Sequence, residues 1–199
     1  MDDAVRRIAD ALYADGVEHD AAEPDRLRRR RNLEPDAAAL LGVVLRAMGA
    51  RSVVEVGTSN GYSTLWLADA VRATGGRVLS IDLDADGQAT AAGTLRRAGL
   101  DEWVELRCAD GGQVLRELPG GSQDVVFLDS ERSEYEDWWP HPVRVLRPGG
   151  LLVIDNVLSH PDEVAAFLTL VDADPELIRV TVPSGKGQVF AVRSAPTAG

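Results

Sequence analysis

Short β-branched apolar runs alternate along this chain with longer stretches whose apolar positions recur three and four residues apart. The runs at residues 53–56, 77–82, 103–106, 124–128, 151–154, 177–182 and 188–192 have the length and composition of strands. Val5, Ile8, Ala9 and Leu12 mark a helix over residues 2–13, which Gly16 is expected to close. Leu40, Leu41, Val44, Leu45 and Met48 mark a second, opened by Pro35 and ended by Gly49. Further helices are expected after Gly61, over 84–98 before Gly99, over 112–118, over 135–146 before Pro148-Gly149-Gly150, and over 162–171. Strand and helix in alternation predict an α/β fold, a doubly wound sheet with helices on both faces. The short 183–187 connection makes the last two strands an antiparallel hairpin, so one strand runs against the parallel set.

At 199 residues the chain reads as one domain, a helical arm or lid over 1–34 and a core over 35–193. No apolar run approaches the ~18 residues of a membrane span, and the first residues are charged, unlike a leader peptide. The single cysteine, Cys108, excludes an internal disulfide, fits a cytoplasmic protein and is expected to be buried at a strand end. A net charge of −11 argues against a nucleic-acid-binding face. Arg26-Leu27-Arg28-Arg29-Arg30-Arg31 reads as a solvated helix face, with an anion-binding rim as the alternative. The tail 194–199 is of low complexity.

The chemistry concentrates where the first strand meets its helix, in Glu55-Val56-Gly57-Thr58-Ser59-Asn60-Gly61-Tyr62-Ser63. Gly57 and Gly61 let the backbone turn and approach a ligand, and the helix beyond presents free N–H groups with the Ser63 hydroxyl. The spacing is not the G-x-G-x-x-G of a dinucleotide site, since Ser59 stands where the second glycine belongs. Asp82 ends the second strand, where a carboxylate accepts from both hydroxyls of a ribose. A nucleoside held by its ribose without a diphosphate points to S-adenosylmethionine. Asp129 and Asp155-Asn156 end the fourth and fifth strands. Neighbouring strands are about 4.8 Å apart, so two carboxylates and an amide oxygen can meet on one hard cation. The alternative is a helix cap and a turn.

Glu55–Ser63, Ser80-Ile81-Asp82, Phe127-Leu128-Asp129 and Asp155-Asn156-Val157 together resemble the catechol O-methyltransferase-like and caffeoyl-CoA O-methyltransferase-like family of class I methyltransferases, over roughly residues 30–193. The resemblance implies a Rossmann-like methyltransferase sheet of seven strands. It implies S-adenosylmethionine held by Asn32, Leu33, Glu55, Gly57, Ser59, Gly61, Tyr62, Ser63, Asp82, Leu83, Ala109, Asp110 and Asp129, with S-adenosylhomocysteine as product. Asp110 also reads as a helix N-cap. The resemblance further implies Mg²⁺ or another divalent ion on Asp129, Asp155 and Asn156, catalysis by Asp129, Arg132 and Asn156, and a homodimer. The family's general-base lysine is Arg132 here, which stays protonated and takes no proton; the ion, water or His160 would have to supply that route. Trp138 and Trp139 read as packing residues, with the lining of a substrate pocket as the alternative. The implied activity is methylation of a small hydroxylated, aromatic acceptor. Alternatives are O-methylation of a tRNA nucleoside, or a silent cofactor-binding interaction protein.

Overall fold

The structure, a computed structural model, describes residues 1–195; the last four residues of the low-complexity tail lie outside the described residues. The chain runs α1 (Asp3–Ala22), α2 (Pro35–Met48), β1 (Ser52–Val56), α3 (Tyr62–Arg72), β2 (Arg77–Asp82), α4 (Ala85–Ala98) and β3 (Val104–Cys108). It continues through α5 (Gly111–Glu117), β4 (Gln123–Leu128), α6 (His141–Arg144), β5 (Leu146–Ile154), α7 (Pro161–Ala173), β6 (Leu177–Val182) and β7 (Gln188–Arg193).

Among the described residues, seven strands form one sheet in the order β3-β2-β1-β4-β5-β7-β6. Strands β1 to β5 pair in parallel, and β7 runs antiparallel to both β5 and β6. The period-two alternation of a strand divides the core. Val53, Val125, Phe127 and Val153 pack with α1, α2 and α3, whereas Val54, Val56, Val126, Leu128 and Ile154 pack with α5 and α7. Helices therefore cover both faces, and the fold is the doubly wound α/β sheet with a reversed strand. Strand order reverses between β1 and β4, which opens a crevice at their carboxyl ends. Among the described residues no helix is long and apolar enough to cross a membrane.

Four expectations are corrected. Gly16 does not end the first helix; it is buried inside α1, and a Cβ there would lie 2.2 Å from Asn32 Nδ2. Its missing side chain admits the Asn32 amide, which donates to the Leu12 carbonyl at 3.3 Å. Residues 135–146 are not one helix, because Pro140 and Pro142 withhold two amide donors; α6 is the remnant. Cys108 ends β3 as expected, but β3 lies at the sheet edge and the thiol is exposed. The arginine run is not a helix face: a single 3-10 turn at Arg26–Arg28 gives way to a non-helical strap, with Arg31 at φ 46°.

Candidate functional site

Sheet hydrogen bonding continues one residue past the strand ends. Gly57 N donates to Ile81 O (2.9 Å), Asp129 N to Val56 O (2.9 Å) and Asp155 N to Leu128 O (3.1 Å). Gly57, Asp129 and Asp155 thus stand side by side at the crevice. A cavity of about 1050 Å³ opens over Gly57 and Asp129, with Asp155 behind its wall. Gly57 has φ 107°, and a Cβ there would lie 2.2 Å from the Asp129 carbonyl oxygen, so the loop passes the β4 end only as glycine.

Asp82 organises the loop. Its Oδ2 accepts from Thr58 N (2.9 Å) and Ser59 N (2.8 Å), and its Oδ1 accepts from Asp84 N (3.0 Å). A carboxylate has about four lone-pair sites, so acceptor capacity remains toward the cavity, which Asp82 lines with Leu83 and Ala109. Ser59, at φ 49°, donates its hydroxyl to Arg30 O (2.9 Å), tying the loop to the arginine strap. Asn32, Leu33, Tyr62 and Ser63 also line the cavity. Asp110 does not; its carboxylate caps α5 by accepting from Gln113 N at 2.6 Å.

Glu55 lies beneath the cavity rather than on it. It is fully buried and accepts from Ser63 Oγ (2.5 Å), Ser80 Oγ (2.6 Å) and Thr64 Oγ1. Burial pushes its carboxyl up to about 7, with the three hydroxyls pulling the other way. The folded state therefore keeps a proton that the unfolded chain loses above about 4.5, and stability falls as pH rises through that window. Glu55→Gln should gain on wild type by up to roughly 3 kcal/mol between pH 5 and pH 8. Urea unfolding at the two pH values measures this, and a constant difference would refute it.

At the other end of the cavity, Asn156 Nδ2 donates to Asp129 Oδ1 at 3.0 Å. Asn156 sits at φ 66°, a left-handed conformation that asparagine tolerates better than most residues. Burial, then Asp155 and Glu55, drives the Asp129 carboxyl well above its ordinary range. Asp155, behind the cavity wall, is likewise raised, first by burial and then by Glu34, and its Oδ1 has no hydrogen-bond partner among the described residues. Arg132 lines the cavity but is buried and engaged: its Nε and Nη2 donate to Glu163 at 2.9 and 2.7 Å. His160 lines it too, with Nδ1 2.8 Å from Ser159 Oγ. Trp138 both packs against Tyr135 and borders the cavity, while Trp139 packs on Phe167.

The strap borders the cavity with part of its charge paired. Arg31 and Arg26 reach Glu131 at 2.7 and 3.1 Å, Arg30 pairs with Asp15, and Asp20 accepts from the backbone of Arg30 (2.7 Å) and Arg31 (2.8 Å). Two residues that no motif marked also belong here. Lys186, on the β6–β7 loop, lines the cavity, and Glu34 pairs with it at 2.9 Å. A lone lysine in a Gly-rich turn carries no sequence signal of its site.

The chain matches the family model described as O-methyltransferase over residues 21–176. It is 33% identical to the catechol O-methyltransferase of Mycobacterium tuberculosis over 171 residues, 80% of this chain and 74% of that protein. It is 31% identical to the catechol O-methyltransferase of Niastella koreensis over 130 residues, 64% of this chain and 58% of that one. Among solved structures, cofactor-bound Rv0187 from MTB is similar at TM-score 0.77 and 28% identity, covering 92% of this chain and 89% of that one. The O-methyltransferase from Bacillus cereus in complex with SAH shares the fold at TM-score 0.79 and 21% identity, with 98% and 92% covered. With the family model spanning most of its length and the strand-end loop, acids and crevice in one place, this chain belongs to the O-methyltransferase family.

Proposed function

We propose that the chain transfers a methyl group from S-adenosylmethionine to a hydroxyl of a small hydroxylated aromatic, assisted by a divalent cation. One observation carries this reading: Asp82 and the Asp129–Asn156 pair lie on a single cavity, at either side of the Gly57 loop. Asp82 suits the ribose, with Ser59, Tyr62, Ser63, Leu83 and Ala109 around it. Asn32 and Leu33 border the same cavity from the strap. S-adenosylmethionine supplies an electrophilic methyl on a sulfonium; the acceptor hydroxyl gives up its proton and gains the methyl, leaving S-adenosylhomocysteine.

The residues fit a hard cation. Asp155 Oδ1 is buried without a partner among the described residues, the Asp129 carboxylate is disfavoured by burial and then by neighbouring acids, and Asn156 adds an oxygen donor. Bound there, a divalent ion supplies charge that favours the ionised acceptor hydroxyl. Trp138 borders the space for an aromatic ring. The ion-paired state of Arg26, Arg30 and Arg31 weighs against the RNA alternative, which needs unpaired cations for phosphates. Exposed Ile178, Val180 and Val192 on the outer hairpin support a homodimer, and the exposed Cys108 thiol fits the cytoplasm.

Calorimetry with S-adenosylhomocysteine and turnover of labelled cofactor on a panel of catechols with Mg²⁺ test the reading. Binding with transfer to catechols is the expected result. Binding without transfer to any phenol would favour the silent cofactor-binding alternative.

A further inference from the structure

Lys186 is the chain's single lysine, and its position is built from both sides. Asp36, at the start of α2, accepts from Gly185 N (3.0 Å) and Ser184 Oγ (3.2 Å). The Lys186 carbonyl accepts from Leu158 N (3.0 Å) and Ser159 N (3.1 Å), and Gly187 O accepts from Val157 N (3.0 Å). The loop is thereby fastened to the segment that directly follows Asp155 and Asn156. A Cβ at Gly187 would lie 2.4 Å from Leu158 Cγ, so this close approach depends on glycine. The ammonium stands 2.9 Å from Glu34 Oε1, while Glu34 Oε2 is buried without a partner among the described residues.

The other cations at this end of the cavity are committed. Arg132 gives two donors to Glu163 and is buried, and Arg26 and Arg31 are held by Glu131. Lys186 has three N–H donors, one directed at Glu34, and its side chain is 37% exposed. We propose that Lys186 is a catalytic residue whose ammonium binds the acceptor oxygen that takes the methyl group and holds it as the oxyanion. The acceptor proton goes to water, the ammonium keeps its own, and the O–CH₃ bond forms as the S–CH₃ bond breaks. A cation within hydrogen-bond reach favours the ionised, more nucleophilic oxygen. This assignment rests on the O-methyl-transfer reading above.

A single lysine makes the test direct. In protein labelled with [ε-¹³C]lysine and saturated with S-adenosylhomocysteine and Mg²⁺, 4-nitrocatechol should shift the lysine signal. Its dimethyl ether, which has no ionisable oxygen, should not. Lys186→Met should lower kcat/KM by roughly 10- to 100-fold and move bound 4-nitrocatechol absorbance from the phenolate toward the phenol. Lys186→Arg should restore the phenolate band. A silent lysine signal while tryptophan indole signals register 4-nitrocatechol binding would overturn the assignment and leave the O-methyltransferase reading standing. Wild-type kcat/KM in Lys186→Met would do the same. Failure of wild type to bind S-adenosylhomocysteine would overturn both.

Discussion

Replacing Asp82 with alanine is expected to weaken S-adenosylhomocysteine binding by roughly 100-fold or more and to destabilise the fold by about 2 kcal/mol. Hydrogen bonds to a charged acceptor are worth about 1.5–3 kcal/mol each, and this carboxylate serves two purposes. It is placed to accept from the ribose, and it already accepts from Thr58 N and Ser59 N. Alanine strands both loop donors, so the cradle loosens as the contact disappears. Asp82→Asn keeps one oxygen for the loop and should fall between wild type and alanine in both measurements. Calorimetry reads the affinity and urea unfolding the stability. An alanine variant with wild-type affinity would remove Asp82 from the cofactor site; one that lost affinity with unchanged stability would show that the loop does not depend on it.

The second large effect concerns the divalent ion. Chelation is expected to abolish methyl transfer, and Mg²⁺ or Mn²⁺ to restore it. Asp155→Asn should lower kcat by about 100-fold or more, since a hard cation needs the negative charge that the amide lacks. S-adenosylhomocysteine affinity should change little, because the proposed ribose contact at Asp82 belongs to β2 and Asp155 follows β5. Calorimetric titration with Mg²⁺ supplies a readout independent of turnover: wild type should bind and Asp155→Asn should not. Full activity in EDTA after exhaustive dialysis would make Asp129, Asp155 and Asn156 structural. Wild-type Mg²⁺ affinity in Asp155→Asn would place the ion elsewhere.

Much of this molecule is legible in one dimension because its signals are local. The apolar runs of β1, β2, β4 and β5 have to be strands buried on both faces, and the Pro35 and Gly49 signals mark the ends of α2 through backbone geometry alone. Asp82 ends a strand and Gly57, Asp129 and Asp155 follow strands of the same parallel set, so topology carries all four to the same edge. Where local signals have two physical meanings, the sequence could not choose. Gly16 looks like a helix end, yet the same absent side chain serves Asn32's approach across a helix that continues. The arginine run looks like a solvated helix face, yet acids from α1 and from beyond β4 fold it into a strap. Glu55 sits inside the strand-end motif, but three hydroxyls from α3 and β2 draw its carboxylate below the cavity. Lys186 was invisible because its partners are distant in the chain: Glu34 precedes α2, and Leu158 and Ser159 follow β5. The sequence by itself determined the sheet, the strand-end acids and the glycine loop, since each depends on residues within one turn or one strand. The tertiary structure alone decided which charges are spent on each other and which face the cavity, because side-chain pairing depends on distances that only the packed chain sets.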